Sequence, residues 1–180
     1  IAAVLYFNQI SIVEANIHTK GGKVFDVFKI KNASGSPIEF SNYFFLQKQI
    51  KDELRKVLVE KKSLNNIYKG RVVYSISEPI SVNMKKPKVK IIGRAVKVET
   101  PDVIGAFMME TKVFSEWNLE IQRAVLHAHN GTASNIIYVR EEDVEKIMMN
   151  EAHFKNSMNE ALKKLERPQS ILEEEFIETV

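Results

Sequence analysis

The chain has 180 residues, 44% apolar and 27% charged, which excludes disorder throughout and allows one medium domain or two small ones. Cysteine is absent, so disulfides and thiolate metal sites are excluded and a cytoplasmic setting is expected; no apolar run is long enough to cross a bilayer. The net charge of +3 conceals a basic stretch at Lys85, Lys86, Lys88 and Lys90 and an acidic tail at Glu173, Glu174, Glu175 and Glu178; these read as solvated linker and tail, with neither nucleic acid nor membrane as partner.

Ile1 opens the chain inside an amphipathic segment, without an initiator Met or a charged leader, as expected of a cut edge and not of a signal peptide. The first helical stripe is Ile1, Val4 and Leu5. A strand follows through Ile10, Ile12, Ala15 and Ile17, and the slip in its alternation between Ile12 and Ala15 predicts a bulge. Lys20-Gly21-Gly22 supplies the positive φ of a tight hairpin, and VFDVFKI, residues 24–30, returns as a second strand. Leu46, Ile50, Leu54, Val57 and Leu58 share one face of a second helix, and Arg71 to Ile80 reads as a strand.

Beyond the basic stretch, Lys90 to Thr100 alternates as one strand, and Ala106, Phe107, Val113, Phe114 and Trp117 mark the core stripe of a helix. Leu119, Ile121, Ala124 and Leu126 repeat the slipped alternation, and His129-Asn130-Gly131 turns into a strand ending in NIIYV, residues 135–139. Phe154, Met158, Ala161, Leu162 and Leu165 share a face of the last helix, which Pro168 stops; Ile171 to Val180 is the segment available for a closing strand.

Residues 1–30 align without a gap on residues 110–139 at a constant offset of 109, which pairs Val4 with Val113, Ala15 with Ala124, His18 with His127 and Gly22 with Gly131. The later helices match Leu46 with Phe154, one residue short of that offset, so the connecting loop of the second copy is shorter. The element order predicts an α+β protein: two tandem ferredoxin-like βαββαβ sandwiches, residues 1–80 without the opening strand and residues 91–180 with the acidic tail, joined by a basic linker at 81–90. Units this small sit near the lower limit for burying a core, so the copies are expected to pack together, within the chain or as a homo-oligomer.

The junction Asp102-Val103-Ile104-Gly105-Ala106-Phe107 is the leading site candidate. Gly105 permits close backbone approach, the following helix offers unpaired N–H groups to a carboxylate, and Asp102 suits an α-ammonium group. The plainer alternative is that Asp102 caps the helix. His127 and His129 project from one strand face, but no third ligand for a metal is evident, and Lys20-Gly21-Gly22-Lys23 reads as a hairpin and not a phosphate loop. No nucleophile–base arrangement is legible, so neither catalysis nor a cofactor is expected of this segment. The element order would also admit RNA binding through exposed sheet aromatics, yet strand 133–139 offers only Tyr138.

The junction, followed by NLEIQRAVLHAHNG and NIIYV, and ISIVEANIHTKGGKVFDVFKI in the first copy, resembles the ACT domain. The resemblance covers roughly residues 1–60 and 91–166, and the tandem spacing with DVFKI is most similar to the C-terminal pair in bacterial protein-PII uridylyltransferases. It implies an allosteric module that binds an amino acid such as glutamine and controls an N-terminal enzyme domain in nitrogen or amino-acid metabolism. The implied ligand residues are Asp102, Val103, Ile104, Gly105, Ala106, Phe107 and Glu120, the last standing, like Ser11, where the family favours Asn. Val103 and Ile104 depart from the family's Arg and Pro, and Asn135 stands where Asp26 does in the first copy. The alternative is a ligand-free interaction or dimerisation module.

Overall fold

Period-two alternation and period-3.6 stripes segregate here into one sheet and a layer of helices. The computed structural model describes residues 1–20, 23–69 and 86–166. In chain order the elements are α1 (Ala2–Phe7), β1 (Ile10–Lys20), β2 (Lys23–Asn32), α2 (Phe40–Leu58), α3 (Leu64–Tyr68), β3 (Lys88–Ile92), β4 (Ala95–Pro101), α4 (Ala106–Glu116), β5 (Ile121–His129), β6 (Thr132–Val139), α5 (Glu141–Met149) and α6 (Glu151–Lys163), followed by a 3-10 turn at Lys164–Glu166. The strands pair in the order β2-β1-β5-β6-β4-β3, antiparallel throughout. Gly21, Gly22, the strand expected at 71–80, Pro168 and the closing strand expected at 171–180 lie outside the described residues. None of the described helices is long and apolar enough to cross a membrane.

The protein is thus α+β. Ala15, Val96, Val98, Ala124, Leu126, Ile137 and Val139 face the helices and are buried with Val4, Val113, Phe114, Phe154 and Met158. The alternate residues Glu14, Asn16, His18, Arg123 and His127 are exposed, so the described helices cover one face of the sheet. Within β5-β6-β4-β3, β6 sits between the two strands that α4 connects, the split βαβ arrangement compatible with a ferredoxin-like fold.

One expected strand is two. Gly93, at φ 56°, turns the chain so that β3 folds back on β4 from Lys88 opposite Glu99 to Ile92 opposite Ala95. Alternation alone does not register a two-residue turn inside an apolar run, which is why Lys90 to Thr100 reads as continuous. Lys88 and Lys90, assigned from charge to a linker, are strand residues with exposed side chains. The helices α3 and α5 were not anticipated; α5 is set off from α6 at Asn150 and carries Glu141, Glu142 and Asp143 in its first turn, where the helix dipole favours them.

The repeat survives in the backbone at the sequence offset. Gln9 at φ 56° and Asn118 at φ 50° end the helices that precede β1 and β5. The register shifts at Ile12/Glu14 in β1 and at Ile121/Arg123 in β5, so both expected bulges are present at equivalent positions. β1 pairs with β5 from Glu14 opposite His127 to His18 opposite Arg123, and the central pair is Asn16 with Val125, which are equivalent residues. The two repeats therefore meet about a local two-fold axis through that pair.

Candidate functional site

The two-fold pairing brings the start of β1 against the junction ahead of α4. Between them lies a cavity of about 40 Å³, lined from the second repeat by Asp102, Val103, Ile104, Gly105, Ala106 and Phe107 and from the first by Tyr6 and Ile10 to Val13. One water requires about 10–15 Å³ on this measure, so the cavity accepts a few small atoms in this state. All six junction residues expected at the site line it. Glu120 does not: its carboxylate pairs with Arg140 at 3.4 Å and its backbone N–H donates to Asp143 at 3.1 Å. Its repeat equivalent, Ser11, occupies the cavity wall instead, because the wall is built from the opposite repeat.

Gly105 is the N-cap of α4 at φ 91°, a conformation costly for any residue with a Cβ. Its open flank is filled by the Tyr6 ring: a Cβ built there would stand 2.8 Å from Cε2. Close approach at Gly105 is thus used by the first repeat's own helix. Ala106 N–H donates to Val103 at 3.2 Å, and Met109 N–H to Gly105 at 3.0 Å. The N–H groups of Phe107 and Met108 have no backbone acceptor among the described residues, as the first turn of a helix dictates.

Asp102 makes no cap; α4 has no side-chain capping bond. Its Oδ2 accepts instead from Lys31 Nζ at 3.4 Å, across the repeats. Tyr6 and Ser11 are each about nine-tenths buried, and neither hydroxyl has a hydrogen-bond partner among the described residues. Burial raises the Tyr6 phenol above its ordinary pKa, so it is a neutral donor.

Behind the cavity, Glu110 of α4 is fully buried, and Asn135 of β6, itself a cavity residue, donates through Nδ2 to both of its carboxyl oxygens at 2.9 Å. Burial pushes the Glu110 carboxyl up to about 8, against a smaller opposing effect of the Asn135 bond, so it is protonated at neutral pH. Sequence reasoning missed this pair, although an acid inside the run from Ala106 to Phe114 was the available signal. Lys31 and Tyr6 were also missed, since neither belongs to a motif.

His127 lines the cavity, and its ring stacks on that of His129 with centroids 6.2 Å apart. Among the described residues no group of three or more His, Asp or Glu side chains gathers to hold a metal. Comparison with protein-family models and with curated proteins yields no match.

Proposed function

We propose that the chain is a tandem regulatory module of ACT-like, ferredoxin-like units that binds a small amino acid, of the glutamine type, in the cleft between its repeats, and that it regulates an enzyme domain in cytoplasmic nitrogen or amino-acid metabolism. The observation that carries this reading is the composite cavity. One wall is the Asp102–Phe107 junction with the first-turn N–H groups of α4, and the other holds the hydroxyls of Tyr6 and Ser11, which have no partner among the described residues. A carboxylate matches the N–H groups and the hydroxyls, and an ammonium matches Asp102. A ligand spanning both repeats would prefer one arrangement of them, which is the requirement for allosteric coupling.

Thermal-shift and calorimetric titration against the common amino acids tests it. A ligand at a hundred times its Kd stabilises by about 2.7 kcal/mol, a shift of several degrees. One amino acid should give that shift and Asp102→Ala should abolish it; no response to any of them counts against sensing. A second reading, assembly without a ligand, is favoured by the small cavity and by Tyr6 and Lys31 already occupying the junction. Concentration-dependent association with no ligand response would select it.

A further inference from the structure

Lys31 and Asp102 join the repeats at the edge of the cavity. Lys31 lies near the end of β2, opposite the cavity residue Ser11 on β1, and an antiparallel pair of this kind shares one sheet face. Asp102 is the only acidic side chain lining the cavity among the described residues. The pair is partly buried, with 29% of the lysine side chain and 17% of the aspartate exposed, so water screens it incompletely.

An α-ammonium group delivered to Asp102 would stand beside the Lys31 ammonium, two cations on one carboxylate in a poorly solvated cleft. Their repulsion makes ligand and lysine competitors for the same charge.

Resting on the amino-acid reading above, we propose that Lys31 is an internal surrogate for the ligand's ammonium group: it holds Asp102 when the cavity is empty, and the bound amino acid displaces it, releasing the end of β2. Occupancy of a site on the second repeat is thereby passed to the first. Removing the surrogate raises apparent affinity by the reciprocal of the fraction of molecules in which Asp102 is free; for a pair this exposed, that is about two- to sixfold.

The test titrates the whole chain, as wild type, Lys31→Met, Lys31→Gln and Asp102→Asn, with the common amino acids and the 2-oxo acid matching the tightest of them. Amide hydrogen exchange at residues 30–32 is followed with and without that amino acid. Expected are tighter binding to both Lys31 variants, lost binding to Asp102→Asn, and faster exchange at 30–32 on binding in the wild type alone. Two lysine variants keep the test open if one fails to fold. Weaker or unchanged binding in the Lys31 variants, unchanged exchange at 30–32, or tighter binding of the 2-oxo acid by the wild type overturns the displacement. Absence of binding to every protein overturns the sensing reading itself, a result distinct from wild-type binding that is indifferent to Lys31.

Discussion

The two repeats share a backbone pattern but contribute unequally to one core. In the second, Ile137 and Phe154 are 0% exposed, and β6 is flanked by β5 and β4. In the first, Phe28, the equivalent of Ile137, is only half-buried, β2 is an edge strand among the described residues, and α2 exposes Phe40, Tyr43, Phe44 and Phe45. The buried acids differ as well. The second repeat buries Glu110 on α4 against Asn135, and the first buries Glu53 on α2, which accepts from the Tyr68 hydroxyl; the first repeat's equivalent of Asn135 is the half-buried Asp26, one oxygen of which has no partner among the described residues and whose carboxyl is pushed up by burial. Apolar pattern thus specifies which way a side chain points. How much that burial contributes depends on what the rest of the chain brings to cover it.

The sharpest way to break this comparison is a matched pair of truncations. Ile137→Ala should cost about 3–4 kcal/mol and Phe28→Ala about 1–2, despite the larger side chain, because only the first leaves a closed cavity. Equal losses in urea denaturation would mean that the first repeat is as well packed as the second. Next in size is Gly105→Ala. A Cβ there meets the Tyr6 ring at a φ of 91°, and we expect a loss of about 2–3 kcal/mol together with the loss of the inter-repeat cavity. A variant as stable as wild type would show that α1 and α4 move apart freely.

The last effect is a pH slope, small over a single unit but cumulative across the window. The folded state holds the Glu110 proton up to about pH 8, while the unfolded chain releases it near 4.5, so the native state binds the extra proton between those values. Stability therefore falls as pH rises across that window, by at most about 1.4 kcal/mol per unit, and levels off above it. Glu110→Gln should flatten the slope in melts from pH 5 to 8; an unchanged slope would assign the effect elsewhere.

Features governed by local chemistry were legible in the sequence. The slips at Ile12 and Ile121, the helix stripe from Ala106 to Trp117 and the Asp102–Phe107 junction needed no distant partner to be read. Where the outcome depended on chain meeting chain, the sequence was mute. Nothing local says that Asp102 finds Lys31, that Tyr6 fills the flank of Gly105, or that the site wall takes Ser11 from the first repeat instead of Glu120 from the second. The turn at Gly93 lay between these cases: its glycine was visible, but the apolar run around it outweighed a single residue. No sequence period reports pairing across 109 residues, and the Asn16–Val125 axis therefore emerges from the fold alone.

That axis bears on how the protein responds to its own abundance. A self-complementary surface on separate chains forms only as far as protein concentration drives it, so any site built across it fills in proportion to dimer as well as to ligand. With both halves on one chain, the encounter is intramolecular and its effective concentration is fixed by the connection between them. The cleft between the repeats is then formed at any expression level, without a second chain.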